Sequence, residues 1–315
     1  MSKFANVRQL AGVVGGALML GAALVGCGGG GGGSSSASVA ATVDLSLPAS
    51  VTSSTLSVPM YGRPLLLTVV GSHLDNGLAV SATGCTGAAL SSTAPYVSSA
   101  TTAYYQCNAT TVGAGQIIVT RTVDATVLAT QPFTVPVPQV TLTLSNGASV
   151  NGTMVFTLAA DKAPITVNNF LAYVNSGFYD GTVVHRVSPN FVIQAGGFAA
   201  PLVDTSATVK QTSPPIALEV NKGLSNLQWT VAMARSNEAN SATSQFFINL
   251  VDNSATLDPQ PIVNEGYAVF GAVSAGTSVV TALVAAPCTA FAGFLPSGEC
   301  TPSPNVVITS AVQTR

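Results

Sequence analysis

Short runs of Val, Thr, Leu and Tyr, each about strand length and bounded by turn signals, fill most of this chain from residue 39 onward. Such runs favour extended backbone, because β-branched and aromatic side chains suit a pleated, half-buried surface. One stretch alone carries a clear helical period, so the chain must fold mainly into sheets. Its 315 residues suffice for about two domains. Only 7% of the residues are charged, 10 Lys+Arg against 12 Asp+Glu, while 47% are apolar. So few cations exclude a nucleic-acid binder that works by neutralising phosphates. Disorder is excluded too, since it needs low hydrophobicity and high net charge. Two histidines, His73 and His185, leave little room for a His-rich metal site, and no G-x-x-x-x-G-K-[ST] run is present to cradle phosphate.

The N-terminus reads as an address. Lys3 and Arg8 flank an apolar stretch from Leu10 to Val25, broken only by Gly, and no acid occurs before Asp44. At about sixteen residues the stretch falls short of the ~20 that cross a bilayer as a helix. Residues 1–26 are therefore expected to be a cleavable export signal, with a short membrane anchor as the alternative. The stretch ends in Leu24-Val25-Gly26-Cys27, which resembles the lipobox of bacterial lipoproteins. That resemblance implies cleavage before Cys27 and a lipid on its thiol. It also implies a lipid-anchored, periplasm-facing place in the cell envelope. Gly28 in the next position resembles the outer-membrane sorting pattern, should the envelope be Gram-negative. Residues 27–38, rich in Gly and Ser, would form a flexible tether. Removing Lys3 and Arg8 leaves 8 cations against 12 acids, a net charge of −4, so anchoring would fall to the lipid.

With Cys27 lipidated, Cys85, Cys107, Cys288 and Cys300 remain. Four cysteines allow three pairings, and proximity favours 85–107 and 288–300. Export to an oxidising compartment permits both bridges, and free thiols are the alternative.

Residues 39–137 read as all-β, with strands expected over 65–70, 94–105, 116–122 and 125–135 and turns at Asp75-Asn76-Gly77 and Thr83-Gly84. This spacing suggests a β-sandwich, with an immunoglobulin-like form as one candidate. No Trp stands beside the Cys pair, so the antibody-type pattern is absent. His73 is expected to be a solvated loop residue, and the module to serve as spacer or binding unit. The Pro-spaced stretch Pro132 to Pro138 marks the boundary.

From Val140 the pattern becomes α+β. Strands are expected over 140–144 and 153–158, with Asn146-Gly147 as the turn between them. Pro164 suits a first helical position, Val167, Phe170, Leu171 and Val174 fall at i, i+3, i+4 and i+7, and Gly177 closes the helix. Further strands are expected over 183–187, 191–194, 229–233, 245–251, 267–273 and 306–309, with a shorter helix over 277–286. Many antiparallel strands with two helices suggest a closed barrel with helical caps.

Three separated blocks then point to a family. Residues 178–194 read Phe178-Tyr179-Asp180-Gly181-Thr182-Val183-Val184-His185-Arg186-Val187-Ser188-Pro189-Asn190-Phe191-Val192-Ile193-Gln194. Met233-Ala234-Arg235 precedes Ser241-Ala242-Thr243-Ser244-Gln245-Phe246-Phe247-Ile248-Asn249, and Tyr267-Ala268-Val269-Phe270-Gly271 follows. In order and spacing, these blocks over residues 138–315 resemble the cyclophilins, most closely the bacterial periplasmic ones. The resemblance implies an eight-stranded antiparallel β-barrel capped by two helices and a peptidyl-prolyl cis–trans isomerase acting on proline-containing polypeptides of exported proteins. It implies no cofactor and no metal, and the chain is expected to be a monomer. Arg186 matches the family's catalytic Arg, Gln194 would orient the substrate backbone, and Phe191, Phe247 and Leu257 would form the proline pocket. Val192, Ala234, Gln245 and Tyr267 would line the groove. The alternative is a chaperone gripping proline segments, or an adhesion module, with little turnover.

Read without the family, the same residues look plainer. Strand alternation places Val192 and Gln194 on one face and Phe191 on the other. Phe246, alternating with Phe247, is expected in the core, and His185 as a buried, hydrogen-bonded structural residue. Asp258 reads as a turn residue. Thr256 stands where many members carry an aromatic, and Val192 replaces a more usual Met. The Pro/Gly-rich segment from Cys288 to Cys300 is expected to be a stapled surface loop that does not touch Arg186, Gln194 or Phe247.

Overall fold

The structure is a computed structural model and describes residues 47–202, 209–290 and 295–315. The expected export signal, Cys27 and the tether lie outside the described residues.

The first body is built from β1 (Ser50–Leu56), β2 (Pro64–Ser72), β3 (Leu78–Thr83), β4 (Cys85–Leu90), β5 (Thr102–Ala109), β6 (Gly113–Arg121) and β7 (Val127–Val135). These strands form two antiparallel sheets in the orders β1-β2-β5-β4 and β3-β6-β7. Alternate residues of each sheet are buried, including Leu65, Leu67, Val69 and Tyr105 from one and Ile117, Val119, Phe133 and Val135 from the other, and all join one apolar cluster. Interdigitation of two inner faces in this way makes a sandwich. Cys85 and Cys107 are bonded, tying β4 to β5 within one sheet.

The strand expected over 94–105 starts only at Thr102. Pro95 brings no N–H to a ladder, and the serines ahead of Thr102 serve the backbone instead. Ser98 Oγ donates to the Ser91 carbonyl at 3.1 Å, and Ser99 Oγ accepts from the Thr102 N–H at 3.1 Å.

The second body begins with β8 (Gln139–Ser145), β9 (Asn151–Leu158), α1 (Pro164–Asn175), β10 (Thr182–Ser188) and β11 (Val192–Ala199). It continues with β12 (Thr230–Met233), β13 (Phe246–Asn249), α2 (Ser254–Leu257), β14 (Val269–Ala275) and α3 (Thr277–Ala285). The last elements are β15 (Cys288–Thr289), β16 (Thr301–Pro302) and β17 (Val307–Gln313). Eight of these strands close into an antiparallel barrel ordered β10-β11-β13-β12-β14-β9-β8-β17.

Inward-facing residues fill the barrel. Phe246 lies edge-on to Phe156 and to Phe170 of α1, with ring centroids at 5.7 and 5.5 Å. Leu283 of α3 lines a small apolar cavity with the barrel side chains Leu142, Met154, Ile193 and Ile308. The two helices thus use their apolar stripes to cover the barrel.

Two residues expected to open strands stand before them. Asn190 adopts φ +58° and the Phe191 N–H donates back to the Ser188 carbonyl at 3.1 Å, so β11 begins at Val192. The Tyr267 N–H donates to the Leu257 carbonyl at 3.0 Å, outside the ladder, and β14 begins at Val269.

Candidate active site

The strand order lays a row of side chains across the outer face of the barrel. Arg186 of β10 pairs with Gln194 of β11, Gln194 with Phe247 of β13, and Phe247 with Ala232 of β12. Residues that pair directly across strands share a face, so this register alone brings an arginine, an amide and an aromatic ring together. On the same strands Ile193, Phe246 and Met233 turn inward to the core. The outer residues Val192, Ala232, Phe247, Leu257 and Val269 form a second, separate apolar cluster, against which Phe191, Ala234 and Tyr267 pack.

This second cluster floors a pocket of about 180 Å³ lined by Arg186, Phe191, Val192, Gln194, Phe247 and Leu257, with Ala234, Arg235 and Tyr267 at its rim. Alternation separates Phe191 from Gln194. Because Phe191 stands in the turn before β11, it is free of that alternation and reaches the same pocket. Gln245 lies in an adjoining groove of about 200 Å³ that shares Gln194, Ala234 and Arg235 with the pocket. A wider hollow of about 850 Å³ opens beyond Arg235 and Tyr267 and is lined by residues 259–265 with Asn221 and Asn237.

Leu257 is delivered by α2, a single turn whose sequence carries no periodic signal. Asp258 is more than a turn residue. Its carboxylate accepts from the Asn226 backbone N–H and from Asn226 Nδ2, each at 2.8 Å, and from Ser225 Oγ. Asn253 Nδ2 donates to the Phe191 carbonyl at 2.9 Å and to Asn249 Oδ1 at 2.8 Å. These bonds pin both ends of the turn that holds Leu257.

The polar edge is continuous. Arg186 Nη1 donates to Gln194 Oε1 at 3.0 Å, and Gln194 Nε2 donates to Gln245 Oε1 at 2.8 Å. The Arg186 guanidinium carbon stands 5.9 Å from the Phe191 ring centroid. Phe247 and Tyr267 meet edge to face at 5.6 Å, and the Arg235 guanidinium lies over the Tyr267 ring at 4.7 Å. Arg235 had no role assigned from sequence, although it stands in one of the three blocks.

Glu299 is the larger omission. Arg186 Nε donates to its Oε2 at 2.6 Å and Nη2 to its Oε1 at 2.5 Å. Glu299 belongs to the segment closed by the Cys288–Cys300 disulfide. The bridge forms as expected, but the segment does touch Arg186, which corrects the reading of it as a loop remote from the site. No signal in the sequence connects residues 113 positions apart, and the pairing emerges only from the fold.

His185, next to Arg186, does not line the pocket. It is 3% exposed and lies edge-on to Phe198 at 4.7 Å. It is buried as expected, yet its Nδ1 has no hydrogen-bond partner. Burial, with the Arg186 charge adding to it, pushes its pKa down to about 3. A buried, neutral imidazole that does not line the pocket is no acid or base for it.

Among the described residues no cluster of three or more His, Cys, Asp or Glu could hold a metal. Chemically, the pocket offers a fixed cation and an amide beside an apolar floor that includes the Phe247 ring.

Residues 140–313 match the family model described as cyclophilin type peptidyl-prolyl cis-trans isomerase/CLD. Peptidyl-prolyl cis-trans isomerase A of Dickeya dadantii is 50% identical over 113 residues, which is 36% of this chain and 56% of that protein. Peptidyl-prolyl cis-trans isomerase cyp18 of Streptomyces antibioticus is 50% identical over 118 residues, 37% of this chain and 68% of that one. The chain therefore spans little more than half of the Dickeya relative's length. A crystal structure of a Cryptosporidium parvum cyclophilin type peptidyl-prolyl cis-trans isomerase aligns with TM-score 0.42 at 22% identity, over 56% of this chain and 98% of that one. With its family model spanning the whole barrel from β8 to β17, the chain belongs to the cyclophilin-type peptidyl-prolyl cis-trans isomerases.

Proposed function

We propose that this chain catalyses cis–trans isomerisation of X–Pro bonds in exported polypeptides. The uncatalysed step takes tens to hundreds of seconds, because amide resonance sets a barrier of about 18–20 kcal/mol. At the twisted midpoint that resonance is lost and the lone pair localises on the prolyl nitrogen. A guanidinium N–H donated to that nitrogen is an interaction stronger in the transition state than in the ground state, the kind that raises the rate. Arg186 lines the pocket and would make that donation. Phe247, Val192 and Leu257 would grip the prolyl ring and exclude water, which strengthens the donation. Gln194, held between Arg186 and Gln245, would take the backbone preceding the proline.

The observation that carries this reading is the cross-strand row of Arg186, Gln194 and Phe247 over an apolar floor. The test is a prolyl-isomerisation assay of the whole chain beside Arg186→Ala. Wild type should accelerate the reaction, and the variant should lose about 10²-fold of that acceleration. An unchanged rate in the variant would overturn the role of Arg186, and a wild type that binds proline peptides without turnover would favour a chaperone.

The same proposal extends to location and to the first body. Lys3, Arg8, the apolar stretch and Cys27 support a lipid anchor in the cell envelope. No helix among the described residues is long and apolar enough to cross a membrane. Labelled fatty acid should enter the wild type and not Cys27→Ala, which should leave the membrane fraction. The first body is read as an immunoglobulin-like sandwich. Support comes from its strand order, four strands β1-β2-β5-β4 facing three β3-β6-β7, the connectivity of the constant-type fold.

A further inference from the structure

The barrel is incompletely laced where β10 meets β17. Direct pairing covers only Thr182↔Ile308 and Val183↔Val307, and the Val184 N–H still reaches the Val306 carbonyl at 2.9 Å. Beyond that point the end of the disulfide-closed segment takes over the edge of β10. The Val187 N–H donates to the Cys300 carbonyl at 2.7 Å and the Cys300 N–H to the Val187 carbonyl at 3.1 Å, an antiparallel bridge. Thr301 Oγ1 donates to the His185 carbonyl at 2.5 Å. The bridge sets Glu299 diagonally across from Arg186, a separation that two long side chains can span. A turn in which the Glu299 N–H reaches the Pro296 carbonyl at 3.2 Å aims it there.

A guanidinium has five N–H donors in a rigid fork. Glu299 takes two and Gln194 one. Two remain, one on each terminal nitrogen, and the plane of the group is fixed from two sides. The pair is sheltered, with the Arg186 side chain 24% exposed and that of Glu299 10%. A donor already fixed in place needs no reorganisation as the X–Pro bond twists. The carboxylate offsets part of the positive charge, but holds its direction.

We propose that Glu299 is a positioning residue of the isomerase site, fixing the Arg186 fork toward the pocket, and that the Cys288–Cys300 disulfide keeps it there. This rests on the isomerase reading above. Cys288 pairs with Pro302, and the bond from it to Cys300 closes the segment one residue after Glu299. Opening the bond releases the covalent hold on the residue next to the clamp, so the oxidation state of this segment sets how well Arg186 is aimed.

The test compares the whole wild-type chain with Glu299→Gln and with Cys288→Ser/Cys300→Ser, using a proline tetrapeptide. Glu299→Gln keeps the shape and removes the charge. It should lower kcat/KM about tenfold, through kcat, with KM changed less than about twofold. A residue that served folding alone would not produce that split. The proton resonance of Arg186 Nε–H, assigned by its loss in Arg186→Lys, should lie downfield and exchange slowly in wild type, and both features should vanish in Glu299→Gln. The double-Ser variant should reproduce both effects, with no further loss when combined with Glu299→Gln. An active wild type whose kcat/KM is unchanged or raised by Glu299→Gln overturns this inference alone. A double-Ser variant with full activity overturns the role of the disulfide. A wild type without acceleration overturns the isomerase reading together with it.

Discussion

His185 and Arg186 are neighbours on β10, where the register with β11 is irregular between Val184 and Arg186. Arg186 reaches the pocket, whereas His185 is buried against Phe198, and burial holds its pKa near 3. Unfolded, the imidazole titrates near 6.5. Between these two values the unfolded chain binds a proton that the folded chain does not. Stability from this residue is therefore complete above about pH 6.5 and falls by roughly 1.4 kcal/mol per pH unit below it, toward pH 3. Urea unfolding of wild type and His185→Leu at pH 6, 5 and 4 should show the wild type losing ground to the variant by about that amount per unit. A difference that does not move with pH would mean that His185 titrates in the folded chain as it does in the unfolded one. Alternation along β13 made Phe246 and Phe247 separable in the sequence, one for the core and one for the pocket. It misplaced Phe191, because a residue in a turn does not follow the strand's period. Arg235 and Glu299 were not legible at all. Their partners, Tyr267 and Arg186, come from other elements, and no local pattern records a contact made by the fold.

Among the elements, α1 was the most legible, since Pro164, an apolar stripe and Gly177 mark its start, face and end. What stabilises its start was not legible. The helix has no acidic residue in its first turn, and Ala163 at its N-cap offers no side-chain acceptor. The missing acceptor comes from Glu219, 53 residues away and 8% exposed, whose Oε2 accepts the Thr166 N–H at 2.6 Å and Thr166 Oγ1 at 2.8 Å. A carboxylate there satisfies an orphan donor and meets the positive end of the helix dipole. Glu219→Ala should cost about 2 kcal/mol, seen as a lower urea midpoint with an unchanged slope. A loss below a few tenths would mean that the first turn is satisfied by water. Strand ends moved where side chains competed with the ladder, as at Ser98 and Ser99. The single turn α2 escaped notice because four residues are too few to show a period, although it delivers Leu257 to the pocket.

Across the whole molecule, the sandwich and the barrel touch through the β1–β2 link. Gln313 Nε2 of β17 donates to the buried Tyr61's carbonyl at 2.9 Å, and Arg63 Nη2 donates to Asn175 Oδ1 at the end of α1 at 2.5 Å. These contacts lie on β17 and α1, away from Arg186 and the pocket lining. Each body also carries its own disulfide, with partners 22 residues apart in the sandwich and 12 in the barrel segment. Loop-closure entropy makes the two nearly equal as staples, about 3 kcal/mol each. Their effects on catalysis should differ, because Cys107 sits in a sandwich strand while Cys300 adjoins Glu299. Cys85→Ser/Cys107→Ser should therefore lower the unfolding free energy of the chain by about 3 kcal/mol and leave kcat/KM for a proline peptide unchanged. Cys288→Ser/Cys300→Ser should lower both. Measuring stability and turnover on the same preparations separates the cases. If the sandwich variant also loses turnover while still folded, the contacts at Tyr61 and Arg63 transmit strain to the barrel, and the first body takes part in shaping the site instead of only carrying it.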